Sequence, residues 1–205
     1  EVSQVAPTTQ QRKGDYYLMP LVGFSFTSIT NYDFDYAGST LEDDLDGRWG
    51  NSVGISAGKR WDNWIATINS TYQFQKYSNN HFRNVTLDTI KAEGHEESFS
   101  IFLNCGYSVP ITNSLSHNGT IGGGIAYRKN TFDATAVTSL GTVVPLDPIN
   151  QSSVVFTYNF SMGLEYLFSN NYMARAGYRL LGLTSNESFD SSFQHLIELG
   201  VGANF

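Results

Sequence analysis

Cysteine is all but missing from this chain: Cys105 stands alone among 205 residues, so no disulfide forms within it. Charge is scarce as well. Charged residues make up 15% of the sequence, against about 25% in ordinary soluble domains. Cations are outnumbered 12 to 19, for a net charge of −7, which argues against nucleic acid as a partner because phosphate binding draws on clustered Lys and Arg. No stretch approaches the roughly 18 consecutive apolar residues of a membrane-spanning helix, and mean hydropathy is −0.24. A helical membrane protein is therefore excluded. A transmembrane β-barrel is not, because its strands alternate and leave little hydropathy signal.

What the chain does have is alternation. From Ile197 to Phe205 every second residue is apolar (Ile197, Leu199, Val201, Ala203, Phe205), and Glu198, Gly200, Gly202 and Asn204 fill the gaps. Period two is the signature of a strand with two unlike faces. Eight such segments are predicted, at 15–27, 49–61, 64–75, 97–109, 118–129, 152–168, 172–182 and 193–205. Short turns join the second to the third, the fourth to the fifth and the sixth to the seventh. Longer polar loops at 28–48, 76–96, 130–151 and 183–192 join the rest. That regularity predicts an all-β fold, an eight-stranded antiparallel up-and-down transmembrane β-barrel over 15–205 with its long loops at one end. Residues 1–14 are polar and read as a short extension ahead of it, with no charged-then-apolar leader.

The two faces favour a membrane over water. The sixth segment sets Val154, Phe156, Tyr158, Phe160, Met162, Leu164 and Tyr166 on one face and Thr157, Asn159, Ser161, Gly163 and Glu165 on the other. Glycine keeps to the polar face elsewhere, as at Gly54, Gly58, Gly122, Gly124, Gly200 and Gly202; Gly123 breaks the pattern. Exposed to water, those glycines would weaken the strands and pack nothing. Turned inward they suit a small closed barrel, which leaves the apolar face to lipid. Trp49 and Trp61 share the apolar face twelve residues apart, which is about 40 Å of strand. Tilted by about 40°, that spans roughly 30 Å, the separation of two interfacial aromatic girdles. Tyr16, Trp61, Trp64, Tyr107, Tyr166, Tyr172 and Phe205 are assigned to the girdle at the short-turn end. Trp49, Phe26, Phe74, Phe99, Tyr127, Phe156 and Phe193 are assigned to the outer one. Pro20 falls within the first segment, where its missing N–H predicts a local irregularity.

Glu165, Arg175, Arg179 and Glu198 share the inward face of the last three segments. Positions summing to 340 face each other across the 169–171 turn, which sets Glu165 opposite Arg175. Buried charges are tolerated when paired and hydrogen-bonded, so the four are expected to form one network. A structural plug is favoured over a gate or narrow pore, because an eight-stranded interior is barely wide enough for its own side chains.

The run GLEYLFSNNYMARAGYRL (163–180) resembles the matching stretch of the OmpA transmembrane domain, and GYSVPITNSLSHNGTIGGGIAYRKNT (106–131) resembles another stretch of that family. The final aromatic strand is similar to the closing strand of bacterial outer-membrane barrels. The chain is thus identified as similar to OmpA-like and opacity-type barrels. This resemblance implies a bacterial outer-membrane location with extracellular loops and periplasmic termini. It implies lipid and lipopolysaccharide around the barrel, delivery to the outer-membrane assembly machinery through the strand ending in Phe205, and a host surface ligand for the loops. Adhesion, immune evasion or membrane integrity are the roles implied. Within the family's interior acid–base set, Glu165 and Arg175 match, whereas Asn69 and Asn104 stand in for the other acid and base. A charge-switched gate is accordingly not expected, nor is cell-wall anchoring, since the sequence ends at Phe205.

No catalytic residues, cofactor or metal are assigned. A lipid-modifying enzyme centred on His195, with Ser191, Ser192 and Asp190 nearby, is the alternative function. His195 reads better as an interfacial residue. Glu42, Asp43, Asp44 and Asp46 lack the complete spacing of an EF-hand and read as a solvated acidic loop. Cys105 is assigned to the lipid face.

Overall fold

The computed structural model describes residues 15–27, 30–36, 39–45, 49–82, 89–137, 142–145, 148–185 and 191–205. The strands are β1 (Tyr16–Thr27), β2 (Thr30–Tyr36), β3 (Ser39–Leu45), β4 (Trp49–Trp61), β5 (Trp64–Phe82), β6 (Thr89–Pro110), β7 (Leu115–Val137), β8 (Val143–Pro145), β9 (Ile149–Leu167), β10 (Tyr172–Leu183) and β11 (Ser192–Asn204). Among the described residues there is no helix. Eight strands form a closed antiparallel barrel in the order β1, β4, β5, β6, β7, β9, β10, β11, with β6 paired to β7 and β11 returning to β1. β2 and β3 form a separate hairpin, and β8 pairs with the far end of β7. The polar extension at 1–14 lies outside the described residues.

Closure joins the first and last strands. Tyr16 N donates to Phe205 O (3.2 Å), Phe205 N donates to Tyr16 O (2.9 Å), and the two rings stack with centroids 6.4 Å apart. The short turns meet at the same end. In the Asp62–Asn63 turn, Asp62 takes a φ of 53°, a left-handed conformation that Asp tolerates better than most residues. Hydroxyls hold the other two: Thr112 Oγ1 accepts from Leu115 N (3.0 Å), and Ser169 Oγ accepts from Tyr172 N (3.1 Å).

Alternation sorts the side chains as expected. On β9, Phe156, Phe160 and Leu164 are exposed on the outside, while Thr157, Ser161 and Glu165 are buried within. The interior is not uniformly polar, however. Tyr17, Met19, Leu21, Ile65, Leu167 and Met173 form an apolar cluster, and Phe102, Ala126, Val155, Leu181, Leu183 and Leu196 form a second.

Pro20 interrupts the seam between β1 and β11. Pairing is recorded at Leu18↔Ala203 and resumes at Leu21↔Gly200. The residue sum is unchanged across the gap, so no bulge is needed. Pro20 keeps its place opposite Ile55 on the β4 side, which leaves the missing donor facing β11.

Four strands run further than the alternation predicts. β5 extends to Phe82 and β7 to Val137, while β6 begins at Thr89 and β9 at Ile149. Much of the loops expected at 76–96 and 130–151 is therefore ladder. The physical reason is that apolar-out, polar-in patterning is imposed by lipid. Beyond the apolar band the set of positions that carries Phe99 and Ile101 on β6 and Ile125 and Tyr127 on β7 turns polar (Lys91, Glu93 and His95; Thr131, Asp133 and Thr135), so the apolar-out pattern ends although backbone pairing continues.

Candidate functional site

The interior charges lie at three levels, each spanned from one wall to the opposite one. Nearest the short-turn end, Arg60 on β4 is ion-paired with Glu165 on β9. These strands are four apart in a ring of eight, so the pair crosses the lumen. Arg60 also lies over the Tyr17 ring (4.4 Å) and approaches Asn204 Oδ1 (3.5 Å). At mid-height, Arg179 on β10 pairs with Glu198 on β11 (3.1 Å) and lies 5.7 Å from the Phe102 ring. With its amide turned to satisfy its neighbours, Asn69 on β5 accepts from Arg179 Nη2 (3.2 Å) and Asn104 Nδ2 (3.0 Å) and donates to Ser56 Oγ (2.7 Å). Asn104 Oδ1 then accepts from Asn159 Nδ2 (2.7 Å). At the third level, Arg128 on β7 binds Glu96 on β6 through two nitrogens (3.1 and 3.3 Å), and Gln194 on β11 donates to Glu96 from across the lumen (3.4 Å).

This arrangement revises the single network expected of Glu165, Arg175, Arg179 and Glu198. Arg175 does stand opposite Glu165 in the register. Its guanidinium is half-buried and donates to Ser161 Oγ (3.3 Å), while the Glu165 carboxylate takes Arg60. A narrow lumen is the cause, since a long side chain reaches the far wall as readily as its lateral neighbour. Asn69 and Asn104 do lie inside, both buried and joined to each other. Sequence reasoning missed Arg60, Glu96 and Arg128. Parity carried the signal for two of them: Arg60 alternates with Gly54 and Gly58, and Arg128 with Gly122 and Gly124. Glu96 lies one residue outside its predicted strand.

Small residues make the crossing geometry fit. A Cβ at Gly58 would lie 2.4 Å from the Tyr17 ring that receives Arg60, and one at Gly122 would lie 2.0 Å from Asn104 Oδ1.

The outer surface carries the aromatic residues assigned to the membrane boundary. Tyr16, Trp49, Trp61, Trp64, Tyr107, Tyr166, Tyr172 and Phe205 are all exposed. Trp64 meets Tyr107 edge to face at 5.4 Å, Phe168 stacks on Tyr172 at 6.2 Å, and Phe26 packs against Trp49 at 5.5 Å at the opposite end. Cys105 is exposed on this surface. We expect single-tryptophan variants retaining Trp49 or Trp61 to be quenched most by lipids brominated near the headgroup. Quenching strongest from mid-chain bromines would overturn the assignment of a girdle to each end.

His195 lies half-buried on the same surface. Its Nδ1 is 2.6 Å from Tyr178 Oη, and the Phe26 ring is 6.2 Å away. Ser192, by contrast, is buried on the inner side of its strand, so it and His195 point to opposite faces. Ser191 is exposed, and Asp190 lies outside the described residues. A phenol thus occupies the position in which a carboxylate would orient a catalytic imidazole. Glu42, Asp43 and Asp44 belong to β3, opposite Asp33, Tyr32 and Asn31, while Asp46 lies outside the described residues. Among the described residues no three His, Cys, Asp or Glu side chains are grouped to hold a metal.

Comparison with known proteins agrees with this architecture. The family model described as outer membrane protein beta-barrel domain matches residues 2–205. Neisserial surface protein A is similar in structure, with a TM-score of 0.55 at 15% identity, covering 93% of this chain and 97% of that one. Outer membrane protein OprG from Pseudomonas aeruginosa is similar too, with a TM-score of 0.51 at 12% identity over 96% of this chain and 99% of that one. No curated protein sequence matches. At such identities the structural likeness concerns the fold.

Proposed function

Because the chain belongs to the outer membrane protein beta-barrel domain family, we propose that it serves as a closed, rigid stake whose long hairpins act at the cell surface. The observation that carries this reading is the interior itself. Ion pairs and amide contacts bridge the lumen at three heights, with Arg128 and Arg179 fully buried, which supports a plug over a conducting path. The chemistry of recognition then falls to the hairpins, and the extended β5, β6, β7 and β9 give them a firm base.

In this reading the short turns and both barrel termini face the periplasm. Lipopolysaccharide surrounds the girdle that includes Trp49, and a host surface ligand meets the hairpins in an adhesive or immune-evasive role. The strand ending in Phe205 is what the assembly machinery takes up.

A peptide tag inserted at 138–141 should be labelled by antibody on intact cells, whereas the same tag at Asn113 should be labelled only after permeabilisation. Equal labelling at both sites, or the reverse pattern, would sink the proposed orientation. Unitary currents from purified protein in planar bilayers would sink the plug.

A further inference from the structure

We propose that the outer wall at the short-turn end holds a single phospholipid, in a groove of about 470 Å³ over β1, β4, β5 and β6. The inference rests on the membrane orientation proposed above, which sets this groove in the inner leaflet. Two successive outward rows of the sheet build it. One row runs Tyr16↔Lys59↔Ala66↔Cys105, and the next runs Leu18↔Ala57↔Ile68↔Leu103. Ala57 and Ala66 stop at Cβ, so the surface dips between taller neighbours. Leu18, Ile68 and Leu103, all exposed, form the sides. The floor and sides are nearly all apolar and lie within the volume range of small-ligand sites. Their position inside the girdle matches the upper part of an acyl chain.

The mouth of the groove differs from its floor. Lys59 is exposed and lies 5.0 Å over the Tyr16 ring. Among the described residues it is the outward cation at this end, and no carboxylate comes within ion-pair distance of it. An ammonium held above a ring at the bilayer boundary is a ready partner for a lipid phosphate. Asp15 and Asp62 are exposed on the same rim. Their charge suits a headgroup carrying an ammonium beside its phosphate better than a purely anionic one. A similar apolar dip over Ala174 and Ala176 lacks a cation among its lining residues other than Arg175, whose guanidinium turns inward to Ser161. Lys59 therefore distinguishes the proposed site from a dip that only excludes volume.

The test uses the whole protein folded in detergent micelles with added dioleoylphosphatidylethanolamine and read by native mass spectrometry. One retained phospholipid per barrel is expected, with retention reduced at least tenfold in Lys59→Ala and in Ala66→Phe, which fills the groove. Ala176→Phe should retain the lipid like wild type. Retention of dioleoylglycerol, which has no phosphate, should be at least tenfold weaker. Equal retention of both lipids, or loss shared equally by Ala176→Phe, would overturn the site. Heat-dependent gel mobility of each variant separates these outcomes from misfolding. The tag labelling described above independently decides the orientation, so a lipid held here by a barrel of opposite orientation would refute the inner-leaflet assignment alone.

Discussion

Gly124→Val is expected to abolish the compact, fast-migrating form of the unboiled protein, while Gly123→Val preserves it. The two glycines are neighbours on β7 and face opposite ways. A Cβ at Gly124 would stand 1.8 Å from the Ile101 carbonyl oxygen and 2.9 Å from Phe102 Cα. Both are backbone atoms of the paired strand β6, so no rotamer change relieves the contact and the ladder itself must part. Such a cost exceeds about 4 kcal/mol, within the exceptional range for single substitutions, and consumes much of the roughly 5–15 kcal/mol stability of an ordinary fold. At Gly123 the nearest atom is Cζ of Phe156, at 3.3 Å. That ring is exposed on the outer face and can turn aside. Similar behaviour of both variants in boiled and unboiled gels would contradict the opposite facing of Gly123 and Gly124 on β7.

Glu198→Ala should lower the urea midpoint of the folded barrel in lipid vesicles by an amount equivalent to about 3–5 kcal/mol, the cost of leaving a buried charge without its partner. Arg179 is fully buried, and Glu198 holds it at 3.1 Å. Asn69 and the Phe102 ring remain beside it, but neither carries a formal negative charge. Replacing both partners, as in Arg179→Met with Glu198→Leu, should recover most of the loss, because an apolar pair of similar volume removes the desolvation penalty together with the attraction. The signature is non-additivity between contacting sites. A single-variant loss below about 1 kcal/mol would mean that water reaches this level of the lumen and screens the charge.

The barrel was legible because lipid on one side and a crowded lumen on the other leave opposite marks on alternate residues. That contrast is strong on β9, where Phe156 and Phe160 flank Thr157 and Asn159. It is weak on β1, where Tyr17, Met19 and Leu21 face inward yet are as apolar as the outward Leu18 and Val22. Parity there gives the faces but not the apolar cluster they build. The candidate charge site was legible in part. Register across a tight turn is local arithmetic, so Glu165 opposite Arg175 follows from the sequence. Which partner a charge takes is not local. Arg60 and Glu165 are 105 residues apart and meet across the closed cylinder, a distance that no one-strand reading contains.

The unequal strands also give the upper rim a direction. β4 pairs with β5 only as far as Gly50↔Gln75, but β5 continues to Phe82. The far wall thus stands about 23 Å of strand higher than its neighbour. β10 and β11 stop at Leu183 and Ser192, on the low side. Apart from the β2–β3 hairpin between β1 and β4, the ladders of the described barrel strands end obliquely, which gives them a front and a back about the axis of the barrel. A ligand gripped on the tall side would stop the molecule from spinning freely in the plane of the membrane. Copies tethered to one extended surface would then share a heading as well as a location.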